Sequence, residues 1–139
     1  MNAPLYTIEI LRLAGSLPDP AMLPRIDGRS EQRSPTCGSS VLTEVQLDDG
    51  RVAALSQTVR ACAFGQAAAA LVARHAAGRT REEIAEALAA LTAWLEGTRD
   101  NPGGWGLDAL APARSRKSRH GAIVLPFRAL LAALDEAAA

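Results

Sequence analysis

The spacing of hydrophobic and polar positions changes along the chain, and between residues 41 and 60 it has a period of two. Apolar and polar residues alternate there on both sides of Asp49-Gly50. A period of two is typical of a strand with one buried face. Asp-Gly favours a tight hairpin turn because glycine accepts a positive φ. The pattern therefore predicts a β-hairpin.

Helical spacing of apolar residues is found on both sides of this hairpin. It predicts a short helix over residues 6–14 and an alanine-rich helix over residues 67–77. Thr80 and Glu83 have the spacing of a capping box, which predicts the start of a third helix. Pro126 precedes another amphipathic segment. Since proline is favoured in the first turn of a helix, the last helix is predicted to begin near it.

The order of these elements predicts the fold class. Residues 18–34 form a polar segment before the hairpin, and the end of this segment is placed to pair as an edge strand. The result is an α+β fold, in which several helices pack on a small antiparallel sheet made of the hairpin and the edge strand. At 139 residues the chain is expected to be one domain, residues 1–139.

Charge and composition argue against several functional classes. Lys plus Arg and Asp plus Glu each number 15, so no basic excess points to nucleic acid. No apolar run reaches the roughly 18 residues of a membrane span, and no signal peptide is evident. Two cysteines do not make a disulfide framework. The protein is therefore expected to be cytoplasmic, with reduced thiols and no membrane or nucleic-acid partner.

The two cysteines stand at the two ends of the predicted hairpin. Cys37 lies in a Pro-Thr-Cys-Gly turn before the first strand, and Cys62 lies where the second strand gives way to a helix. Unpaired N–H groups and the helix dipole stabilise a thiolate at a helix start, which favours a ligand or nucleophile. The hairpin predicts that both thiols lie at the same end of the domain and converge on one site.

These segments resemble the U-type iron–sulfur cluster assembly scaffold family, which includes the NifU N-terminal domain, IscU and SufU. The Pro-x-Cys-Gly-Asp turn of that family corresponds to residues 35–39. Its second cysteine corresponds to Cys62, and the Gly-(Lys/Arg)-(Ser/Thr)-x-Glu-Glu motif that follows corresponds to residues 78–83. Its His-Cys or Lys-Cys pair at the start of the last helix corresponds to the segment that begins Arg119-His120.

The chain departs from the family pattern at two ligand positions. Ser39 replaces the Asp that accompanies the first cysteine. Gly121 replaces the third cysteine if His120 sets the alignment, and Ala122 replaces it if the Leu-Pro-aromatic segment does. The resemblance therefore implies a site formed by Cys37, Cys62 and His120, which would bind iron, an iron–sulfur cluster or zinc. Such a site has an open fourth position.

The resemblance implies a non-enzymatic scaffold whose partners are a cysteine desulfurase and apo-protein acceptors. Two other functions stay open at this point. One is a metal-free adaptor or regulator of cluster assembly, and the other is a persulfide acceptor in which Cys37 takes up sulfur beside His120 as a base. The basic run of residues 114–119 is either a solvated loop or a docking site for an acidic partner.

Overall fold

Three strands and five helices make up the described part of the chain, residues 6–35 and 38–138 of a computed structural model. In chain order they are helix α1 (Ile8–Gly15), strands β1 (Gly28–Arg33), β2 (Ser40–Asp48) and β3 (Arg51–Arg60), helices α2 (Ala63–His75) and α3 (Arg81–Glu96), a 3₁₀ helix (Leu107–Ala113), and helix α4 (Lys117–Ala138). The predicted α+β class is confirmed. None of the described helices is long and apolar enough to cross a membrane.

The sheet is antiparallel, with strand order β1-β2-β3. Asp49 and Gly50 join β2 to β3 with φ values of 52° and 74°, the positive values that a tight hairpin turn needs. Asp48 and Arg51 are the register partners that close the turn. The predicted hairpin and the predicted edge strand are therefore both confirmed.

Helices cover one face of the sheet, and the core lies between the two layers. Val41, Thr43 and Val45 alternate along β2 and are all buried on this face. The buried side chain of Gln57, opposite Thr43 on β3, donates from Nε2 to the carbonyl oxygen of Ala69 in α2 at 3.0 Å. This bond links the sheet to α2 inside the core, where an unpaired N–H group would be costly.

The start of the last helix differs from the prediction. Helix α4 begins at Lys117, so Pro126 lies inside it rather than in its first turn. A proline inside a helix cannot donate to the carbonyl four residues earlier, which here belongs to Ala122. The apolar side chains around this point are buried in the core, and this packing keeps the helix continuous through the proline. His120 therefore lies on a helix and not on a loop.

The predicted capping box at the start of α3 is present. The Thr80 side chain accepts from the Glu83 backbone N–H at 3.2 Å, and the Glu83 carboxylate accepts from the Thr80 backbone N–H at 3.1 Å. The latter bond lowers the pKa of the Glu83 carboxyl below its ordinary value. Gly97 ends the helix with a φ of 86°.

Thr80→Ala is expected to lower the free energy of unfolding by about 1 kcal/mol, because it removes an N-cap oxygen. The measurement is a urea denaturation midpoint. Thr92→Ala is the matched control, since the Thr92 hydroxyl donates to the Leu88 carbonyl inside the same helix and caps no N–H group. A midpoint that shifts no more in Thr80→Ala than in the control would show that the cap adds nothing.

Candidate functional site

Both cysteine-bearing segments join the sheet at the same end of its strands. Ser40 begins β2, Arg60 ends β3, and the two residues are register partners. Arg33, the last residue of β1, pairs with Ser40 from the other side. The chain just before β2 and the chain just after β3 therefore leave the sheet side by side, as the hairpin prediction required of these segments.

The loop between β1 and β2 carries the first candidate residue. The Ser34 backbone N–H donates to the Ser39 carbonyl at 2.9 Å, and this bond closes the loop beyond the last sheet pair. Ser34 and Ser39 are both buried. Gly38 has a φ of 72°, a value that favours glycine. Cys37 lies outside the described residues, so its distance from Cys62 stays a prediction.

Cys62 is the N-cap residue of α2. Its backbone is extended, with φ −66° and ψ 174°, and its side chain makes no capping hydrogen bond. The residue is half-buried against the main core. The first turn of α2 holds no acidic residue, so its unpaired N–H groups face this end of the molecule without a carboxylate.

Helix α4 approaches the first turn of α2 closely at Ala122, one of the two residues predicted to replace the third cysteine. A Cβ atom on Gly65 would lie 3.2 Å from the Ala122 carbonyl oxygen and 2.6 Å from the Ala61 Cβ. Ala122 itself is 1% exposed. Position 122 is therefore beside the helix start that Cys62 caps, and an apolar side chain fills it. The sequence analysis did not identify Gly65 as a site of close helix contact. The only indication in the sequence was the presence of a glycine at the start of a helix.

His120 lies in the first turn of α4 and is half-buried. Its Nε2 atom is 2.9 Å from the Ala113 carbonyl oxygen and 3.2 Å from the Arg114 carbonyl oxygen. Both neighbours only accept, so Nε2 carries a proton and donates. A histidine that donates one ring N–H to a carbonyl is oriented as metal-binding histidines usually are.

The described residues alone do not assemble a metal centre. Among them, no three His, Cys, Asp or Glu side chains come close enough to hold an ion. Cys62 and His120 offer a thiol and an imidazole, the ligand types that zinc and iron accept. Cys37, Cys62 and His120 as one ligand set stay a prediction, because the first of them lies outside the described residues.

No protein-family profile matches the chain, and no functionally curated protein matches it. Several solved structures are similar to it, among them three crystal structures. The N-terminal part of a nitrogen-fixing NifU-like protein from Brucella abortus has a TM-score of 0.89 and 29% identity, with 96% of this chain and 94% of that chain covered.

A putative iron–sulfur cluster assembly scaffold protein for the SUF system, from thermophilic Fervidobacterium islandicum AW-1, has a TM-score of 0.82 and 18% identity. Its alignment covers 94% of this chain and 96% of that one. A hypothetical protein has a TM-score of 0.77 and 18% identity, with coverage of 92% and 97%. The fold of this chain is thus that of the NifU, IscU and SufU family.

Proposed function

We propose that this chain is a scaffold-like protein of iron–sulfur cluster assembly. It binds iron or a labile cluster through Cys37 and Cys62, with His120 as a third ligand. One observation supports the proposal most directly. Ser40 and Arg60 pair at the end of the sheet where α2 begins, in a fold shared with scaffold proteins. A metal site with ligands from both cysteine-bearing segments would have to form at this end of the sheet.

The chemistry of the donors supports weak, reversible binding of the cluster. Iron–sulfur clusters are usually held by four thiolates or by thiolates with histidine. This chain offers at most two thiolates and one imidazole, since Ala122 and Gly121 have no donor atoms. A small thiol, water or a partner's side chain completes the set, and a cluster held in this way leaves easily. Zinc on the same three ligands is the alternative occupant.

The proposed partners follow from this role. A cysteine desulfurase supplies sulfur and apo-protein acceptors receive the cluster, so the chain carries cargo and catalyses no reaction of its own. A cytoplasmic location and a single domain over residues 1–139 belong to the same proposal. A persulfide acceptor is the other alternative: the Cys37 thiolate would attack the outer sulfur of a persulfide on the desulfurase, and the desulfurase cysteine would leave as a thiolate.

A second candidate is an adaptor that has lost metal chemistry. The buried methyl group of Ala122 against Gly65 favours it, because an apolar contact occupies one of the two positions, 121 and 122, that align with the third cysteine of the family. An adaptor would keep the fold and its partner surface without a ligand set.

Protein purified without air separates the two candidates. We expect iron and acid-labile sulfide in the wild-type protein after reconstitution, with visible absorption from thiolate-to-iron charge transfer. The Cys37→Ser/Cys62→Ser double variant is the control for adventitious iron. If wild-type protein retains no more iron, sulfide or zinc than the double variant, the scaffold proposal fails and the adaptor takes its place.

A further inference from the structure

A cleft lies between helix α1, the C-terminal end of α2 and the 3₁₀ helix, and we call it the α1–α2 cleft. It encloses about 690 Å³, a volume typical of small-molecule sites. His75 lines it and is the last of the 13 residues of α2, whereas Cys62 caps the first. At about 1.5 Å per residue, about 20 Å of helix separates the cleft from Cys62. The cleft is therefore distinct from the proposed metal site.

Apolar side chains form the floor and one rim of the α1–α2 cleft. Leu13 and Leu71 line it and are buried in the core beneath it. Ile8 stands at the rim with 70% of its surface exposed. The apolar part of a ligand in the cleft would remove surface of Ile8 from water, which is favourable.

Gly106 keeps the cleft open beside Leu71. A Cβ atom on Gly106 would lie 3.2 Å from the Leu71 Cδ2 and 4.0 Å from the His75 Nε2, and both of these residues line the cleft. Gly106 ends a run of consecutive residues with positive φ that includes Trp105, whose φ is 61°. A bulky residue is strained at such a φ, and strained segments are common at ligand-binding sites. The chain thus keeps a position without a side chain against the cleft, at a conformational cost.

Two arginines border the cleft on the side of α1. The Arg74 Nη2 donates to the Ser16 Oγ at 2.9 Å, which holds this α2 side chain against α1. Ser16 follows Arg12 by four residues, so the two lie on the same face of α1. Among the described residues Arg12 has no hydrogen-bond or ion-pair partner, and Arg74 has no carboxylate partner. The two guanidinium groups therefore offer N–H donors to a ligand.

The charge of the lining favours a ligand with one negative charge. Glu9 is the single acid among the described residues that line the cleft, against Arg12 and Arg74. One positive charge is left when His75 is counted as neutral. A carboxylate carries one negative charge and accepts paired hydrogen bonds from a guanidinium group. A phosphate monoester carries nearly two charges, and the second would face Glu9 without compensation.

We propose that the α1–α2 cleft binds a small organic carboxylate with an apolar chain. Arg12 and Arg74 bind the carboxylate, and the chain packs on Ile8, Leu13 and Leu71. Such a ligand joins α1 to α2 and stabilises the folded chain in proportion to its occupancy. None of the proposed metal ligands lines the cleft, so this binding does not depend on the scaffold function.

Calorimetric titration with octanoate tests the chemistry of the ligand. Three related compounds each change one property. Octan-1-ol has the same chain without a charge, inorganic phosphate has charge without a chain, and octyl phosphate has the chain with a larger charge. We expect a Kd of about 1 mM or lower for octanoate, and weaker binding of the other three.

Charge removal with a matched control tests the location of the carboxylate. Arg12→Gln/Arg74→Gln should weaken octanoate binding by at least about tenfold, because hydrogen bonds to charged groups are lost. Arg99→Gln/Arg128→Gln removes the same charge at exposed arginines outside the cleft, and should stay within about twofold of wild type.

The apolar contact has its own pair of variants. Ile8→Gln should weaken octanoate binding by about threefold or more, because less apolar surface is buried with the chain. Leu11→Gln is the control, since Leu11 is also exposed on α1 but does not line the cleft. Thermal midpoints without ligand verify that all variants fold.

Several results would overturn the proposal. They are no binding at about 10 mM octanoate, octanol or either phosphate bound as tightly as octanoate, and equal losses in a variant and its control. The Cys37→Ser/Cys62→Ser double variant should bind octanoate as the wild type does. Loss of octanoate binding in that variant would also contradict a separate cleft, whereas loss of metal alone would count against the scaffold function only.

Discussion

Cys37→Ser and Cys62→Ser are each expected to weaken binding of ferrous iron or zinc by more than about 100-fold, and His120→Ala by less. Residues that only support a metal ligand cost about 10- to 100-fold when changed, so loss of a thiolate ligand should cost at least as much. Thiolates supply most of the affinity for these metals, and the imidazole is the third and weaker donor.

Anaerobic titration of the reduced proteins with ferrous iron and with zinc measures these affinities. His75→Ala is the matched control for His120→Ala, since His75 lies at the end of α2 beside Trp105 and belongs to no predicted ligand set. Affinity that survives in either serine variant at the wild-type level would contradict the shared site. Loss in His75→Ala equal to that in His120→Ala would remove His120 from the ligand set.

Gly28→Ala is expected to lower the free energy of unfolding by about 3 kcal/mol or more. Gly28 begins β1 and is buried where α4 crosses the edge strand. A Cβ atom there would overlap the backbone carbonyl oxygen of Ala133 and lie 2.9 Å from the Ala137 Cβ. A backbone oxygen cannot rotate away, so strand and helix would have to separate.

Chemical denaturation measures this effect, with Gly15→Ala as the control. Gly15 ends α1 and is exposed, and a Cβ placed there would meet no atom within 4 Å beyond its chain neighbours and the backbone of its own helix. Alanine at such a site removes freedom from the unfolded chain and should add about 0.4–1 kcal/mol of stability. Equal stability of the two variants would mean that β1 and α4 are not in contact at Gly28.

The candidate site was predictable from the sequence only in part. Cys62 at a helix start and the pairing of the segments that flank the hairpin follow from local patterns, and both are present. The apolar contact of Ala122 with Gly65 joins segments more than 50 residues apart. The hydrogen bond from His120 Nε2 depends on the 3₁₀ helix, which supplies the carbonyl of Ala113. The periodicity of the sequence predicts neither contact, because both depend on how the elements pack.

The run of cations over residues 114–119 shows the same division. It is visible in the sequence, but only the structure shows that its last residues belong to α4 and not to a loop. Arg33 and Arg60 flank Ser40 only through the register of the three strands.

Three features follow from local signals in the chain: the turn at Asp49-Gly50, the capping box at Thr80, and the change of period between strands and helices. These depend on the φ preference of glycine and on hydrogen bonds within a few residues. The continuation of α4 through Pro126 depends instead on tertiary packing, because burial of the side chains around the proline offsets one missing hydrogen bond.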